Sequence, residues 1–127
     1  MMPVEPTTVP LLLISDTKGN REFLLDRELY IIGRDSKCDI RLISPFVSRH
    51  HATLVRLQDA NGASYYRIVD GDLRGQPSTN GILVNGRKVT SHKLRNEDEI
   101  LFAPNVVIVY YWLGQDDEME CKKLVAS

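Results

Sequence analysis

Ser78-Thr79-Asn80-Gly81-Ile82-Leu83-Val84-Asn85-Gly86 sets two Asn-Gly pairs around an apolar run that has room only for a brief strand. Asn tolerates the left-handed backbone region and Gly takes it freely. Each pair is therefore expected to reverse the chain and leave amides and short polar side chains at an exposed tip. Tips of this kind carry recognition more often than packing.

Outward from that stretch, the chain keeps the same rhythm of short strands and turns. Leu11 to Ile14 and Glu22 to Leu25 read as a hairpin around Asp16 to Asn20, and Leu29 to Ile32 is a strand that stops at Gly33-Arg34. Ile40-Arg41-Leu42, Ala52 to Leu57 and Tyr65 to Asp70 alternate with period two. Gly71 to Pro77 reads as a long exposed loop. Lys88-Val89, Lys93-Leu94, Glu99 to Phe102 and Val106 to Trp112 complete the pattern. No twelve-residue window has helical periodicity, so the fold class expected is all-β, an antiparallel two-sheet sandwich.

The 127 residues suffice for one domain with one core. Residues 1–10, rich in Pro and Thr, are expected to form a flexible arm, residues 11–113 the sandwich, and residues 114–127 a charged tail. A formal net charge of -1 gives no general argument for nucleic acid or membrane binding, so charge-based recognition has to be local. Cys38 and Cys121 lack CxxC spacing and suit a reducing compartment. The longest apolar run, Val106 to Leu113, is too short to span a bilayer. A soluble, cytoplasmic protein without a cofactor is expected.

Three segments hold the residues able to do chemistry: Gly33-Arg34, Ser48-Arg49-His50-His51, and Ser78 to Gly81 with Asn85-Gly86. If loops at one end of a sandwich gather them, two guanidiniums, several hydroxyls and two carboxamides surround one small volume. Arg forks match phosphate oxygens, hydroxyls donate to the remainder, and Asn amides pair with an extended peptide backbone. That inventory suits a phosphate carried on a peptide.

Gly33-Arg34, Ser48-x-x-His51, Ser78-Thr79-Asn80-Gly81 and Asn85-Gly86, in that order and spacing, resemble the motif set of forkhead-associated domains over roughly residues 11 to 113. The resemblance implies a two-sheet sandwich that binds phosphothreonine in proteins or peptides, as an adaptor in Ser/Thr kinase signalling. It implies phosphate contacts from Arg34 and Ser48, with further donors from Arg49 and Thr79, and a peptide-backbone contact from Asn80. Gly33, His51, Gly81, Asn85 and Gly86 are implied to be architectural, His51 bracing the binding loop. Phe46, two residues before Ser48, occupies the position that in this family helps select the third residue after the phosphothreonine, so an apolar preference is expected there. Preference for phosphothreonine over phosphoserine also comes from the family alone.

Other readings compete. A hydrolase would use Ser48 as nucleophile, His50 or His51 as base and Asp70 as orienter, but no G-x-S-x-G elbow surrounds Ser48. The spacing of His50, His51, His92, Cys38 and Cys121 matches no metal-ligand pattern. Single-stranded nucleic acid needs a basic groove with stacking aromatics, whereas Tyr65, Tyr66, Tyr110, Tyr111 and Trp112 sit in strand patterns. A structural module without phosphate dependence stays open. Thr7 and Thr8, if phosphorylated, could bring the arm back to the domain's own site at high effective concentration.

Overall fold

Alternation of buried and half-buried residues along Val106 to Tyr111 builds the central strand of the larger of two sheets. The computed structural model describes residues 9–112. The expectations for Thr7, Thr8, Cys121 and the charged tail lie outside these residues. The strands are β1 (Leu11–Asp16), β2 (Gly19–Leu24), β3 (Leu29–Gly33), β4 (Ile40–Arg41), β5 (Ala52–Gln58) and β6 (Ser64–Asp70), followed by β7 (Ile82–Val84), β8 (Arg87–Val89), β9 (Ser91–Lys93), β10 (Asp98–Ala103) and β11 (Val106–Tyr111). One sheet runs β2-β1-β11-β10-β7-β8, the other β4-β3-β5-β6-β9. Among the described residues none is helical.

Register explains how so many short strands share one core. Ile14 faces Ile108, Ile108 faces Ile100, and Ile100 faces Val84, so one buried apolar row crosses four strands. In the other sheet Tyr30, Leu54 and Ile68 form the matching row. Burying a side chain of this size contributes about 1.5–3 kcal/mol. The interdigitated rows therefore hold the sandwich together, and its end loops are left to function. The fully buried Tyr66 donates from its hydroxyl to the Arg27 carbonyl at 2.6 Å, and burial pushes this phenol up to about 12.

The expected all-β two-sheet sandwich is what forms, with three differences of detail. The sheets are not wholly antiparallel, because β3 and β4 pair in parallel at Ile32 with Ile40 and Gly33 with Arg41. The six residues between them are too few for a helical crossover, so the chain loops out and returns along the same edge for two residues only. Second, Pro10, expected in the arm, is buried and its carbonyl accepts the Leu25 amide at 2.9 Å. Third, the two Asn-Gly pairs are not equivalent. Asn85 (φ 51°) and Gly86 (φ 86°) form a two-residue hairpin turn with both residues left-handed, joining β7 to β8. At Asn80-Gly81 only Gly81 takes positive φ, and no hairpin forms, because an irregular loop rather than a strand leads into it.

Candidate functional site

The site is built where the end of β3 meets the segment before β5. A Cβ at Gly33 would stand 2.0 Å from the Arg49 carbonyl oxygen and 3.0 Å from that of Ser48, so only glycine lets the two backbones pass. Their approach is zipped by the Arg34 amide donating to the Ser48 carbonyl (3.0 Å) and the Asp35 amide to that of Arg49 (3.3 Å). The Arg34 side chain is exposed, yet its Nε donates to the Val47 carbonyl at 2.9 Å. That anchor aims the terminal nitrogens, which have no hydrogen-bond partner among the described residues.

His51 locks this unit to the loop that precedes β7. Its side chain is fully buried, with Nδ1 accepting the Ser48 amide at 3.1 Å and Nε2 donating to the Gly81 carbonyl at 2.7 Å. Accepting at one nitrogen and donating at the other fixes the neutral tautomer protonated on Nε2. Burial pushes the imidazole below its ordinary pKa, against the Gly81 carbonyl and the Asp70 charge, which pull it up. The Phe102 ring packs against it in a T-shaped arrangement, with the ring centroids 5.2 Å apart.

Two further bonds close the latch. The Thr79 amide donates to Ser48 Oγ at 3.0 Å, and Asn80 Nδ2 donates to the Phe46 carbonyl at 2.8 Å. Behind them Ser78 Oγ donates to Asp70 and accepts the Gly81 amide, holding the loop from below. Gly71 to Pro77 is more ordered than its composition suggests, because Asp72 Oδ1 accepts the amides of both Arg74 and Gln76.

Arg34, Ser48, Arg49, Thr79 and Asn80 thus share one end of the sandwich, with Gly33, His51 and Gly81 beneath them. On one side lies a groove of about 500 Å³ lined by Arg34, Arg41, Arg49, Asp35, Ser44 and Thr17 among others. On the other, Phe46, Asn80, Leu83, Leu101 and Pro104 line an apolar groove of about 360 Å³. Phe46 is 57% exposed at this rim, a ring presented for contact rather than packed.

Asn85 and Gly86 do not join the site. They lie at the far end of β7 from Gly81, where Asn85 Nδ2 donates to Asp98 and its Oδ1 accepts the Glu99 amide. Nor is a Ser-His-Asp relay assembled through His51: both its nitrogens face backbone groups, and Asp70 bonds Ser78. Sequence reading missed Arg41. Its signal was the alternation Ile40 inward, Arg41 outward on a strand beside Gly33-Arg34.

A family model described as FHA domain matches residues 30–103. The uncharacterized protein sll1895 of Synechocystis is 32% identical over 105 residues, which are 83% of this chain and 15% of that protein. The chain therefore spans about a seventh of the length of that curated relative. The crystal structure of Slr1951 from Synechocystis is 46% identical, with a TM-score of 0.77 over 81% of this chain and 97% of its own. A structure from work on phosphothreonine-dependent FHA domain interactions is 28% identical, with a TM-score of 0.65 over 82% of this chain and 96% of its own.

Proposed function

We propose, from the premise that this chain belongs to the FHA (forkhead-associated) domain family, that its latched loop end reads phosphothreonine on a partner protein. The domain then acts as a cytoplasmic adaptor in Ser/Thr kinase signalling. The observation that carries this reading is the convergence of Arg34, Ser48, Arg49, Thr79 and Asn80 on loops fixed by backbone bonds and by one buried histidine. Positioning donors before the ligand arrives lowers the ordering cost of binding. A phosphate brings about -1.5 to -2 charges and three acceptor oxygens, so it rewards such an array where a hydroxyl does not.

The roles divide by geometry. Arg34, its Nε anchored, turns its terminal nitrogens to the phosphate, and the Ser48 and Thr79 hydroxyls and Arg49 add donors. Asn80 spends one amide hydrogen on Phe46 and keeps its carbonyl oxygen and second hydrogen for a peptide backbone. The exposed Phe46 ring and its apolar groove suit an apolar residue downstream of the phosphothreonine. The threonine methyl adds about 0.8 kcal/mol, or about fourfold over phosphoserine, if buried.

The test is calorimetry with degenerate phosphothreonine, phosphoserine and unphosphorylated peptide pools on the parent and Arg34→Ala. Binding should be confined to phosphorylated pools, strongest for phosphothreonine, and weakened at least about tenfold in the folded variant. Equal binding of the unphosphorylated pool, or full binding by folded Arg34→Ala, would overturn the reading in favour of a phosphate-independent module.

A further inference from the structure

The basic groove holds one guanidinium more than the proposed phosphate contacts use. Arg41 points outward from β4 beside Ile40, which is buried, and its Nε donates to the Arg34 carbonyl at 3.0 Å. Like Arg34, it is therefore anchored through Nε to a backbone oxygen. Its terminal nitrogens have no hydrogen-bond or ion-pair partner among the described residues. The Arg21 guanidinium bonds the Arg41 backbone carbonyl, so the backbone beneath the side chain is held as well.

A phosphate has three free oxygens, and Arg34, Ser48, Arg49 and Thr79 already offer more than three donors to it. Asp35, the one carboxylate lining the groove, does not neutralise Arg41. It accepts the Lys37 amide at 2.9 Å, and it lies in the field of His50, Lys37 and Arg49, which keeps it ionised below the ordinary carboxyl range. At about 500 Å³ the groove also has the size that holds a drug-sized ligand rather than a single phosphate.

We infer that Arg41 forms a second anion subsite, one that reads an acidic group on the same peptide as the phosphothreonine. The inference rests on the phosphothreonine reading above and sharpens the partner: a segment carrying two neighbouring negative groups. A carboxylate of Asp or Glu and a second phosphate share the chemistry Arg41 recognises, a pair of anionic oxygens facing the terminal guanidinium nitrogens.

The test is fluorescence anisotropy with one phosphothreonine peptide of neutral flanks, variants carrying a single Asp walked along each side, and variants carrying a second phosphothreonine at the same registers. Proteins are the parent, Arg41→Gln and Arg41→Glu. On the parent, one register should raise affinity roughly two- to fivefold with Asp, the range of an exposed ion pair, and more with phosphate. That gain should vanish in Arg41→Gln, which binds the neutral-flank peptide as the parent does and so reports its own folding. In Arg41→Glu the preference should reverse, Lys at that register outperforming Asp. A gain seen with phosphate only assigns the subsite to phosphate. No gain at any register, or a gain that survives Arg41→Gln, overturns this inference while neutral-flank binding leaves the phosphothreonine reading standing. No binding of any phosphopeptide overturns both.

Discussion

At Gly33 a missing Cβ decides whether two loops can meet, and at His51 a single ring decides whether they stay together. Gly33→Ala would drive a methyl into the Arg49 carbonyl at 2.0 Å, a backbone atom with no flexible end to yield. A loss of about 1–3 kcal/mol or more is expected in urea unfolding, together with weakened phosphopeptide binding; an alanine variant as stable as the parent would contradict the close approach. Burial lowers the His51 pKa in the fold, so the unfolded chain holds that proton more tightly. Stability is then full above the ordinary imidazole value of 6.5 and is lost as pH falls below it towards the lowered folded value. The urea midpoint should hold steady from neutral pH upwards, drop on acidification below that value, and drop less steeply in His51→Gln. An identical slope in both proteins would remove His51 as the cause. At this scale the sequence was legible through motif rather than through charge: Arg34 and Ser48 stood out by spacing. Arg41 did not, because a charged residue facing outward from a strand ordinarily means a solvated face.

The same dipeptide, Asn-Gly, makes two different elements here. Asn85-Gly86 closes a hairpin because strands flank it on both sides, with Val84 paired to Arg87 across the turn. Asn80-Gly81 serves instead as a latch, its side chain committed to Phe46 and its carbonyl to His51. Gly86→Ala places its Cβ in open space, so the cost is backbone strain alone, about 1–2 kcal/mol at φ 86°. Parallel thermal melts and peptide titrations should show a lower Tm with unchanged affinity, since β7 separates the turn from the site. A change in affinity without a change in Tm would place the turn in the binding surface after all. Period-two alternation made the longer strands readable. The two-residue β4 and the order within 71–77 were not, because a parallel pair between a loop's two ends and an Asp72 side chain supply their bonds.

Across the whole molecule a net charge of -1 conceals three guanidiniums gathered on one groove. Composition averaged over the chain could not reveal this; contacts 30, 31 and 34 residues apart, His51 with Gly81, Ser48 with Thr79 and Phe46 with Asn80, bring the pieces to one end. Because those groups are exposed, phosphopeptide affinity should fall steadily as salt rises and the Debye length shrinks from about 10 Å at 0.1 M to about 3 Å at 1 M. Affinity insensitive to salt would argue against a charge-reading groove. Receipt of the phosphate at the latch between the Ser48 and Thr79 loops can be followed by amide NMR shifts during titration with a phosphothreonine peptide and its unphosphorylated twin. The amides of Arg34, Ser48, Arg49, Thr79 and Asn80 should move with the phosphorylated peptide alone, while those of Asn85 and Gly86 stay in place. Shifts centred elsewhere, or the same shifts with both peptides, would contradict it.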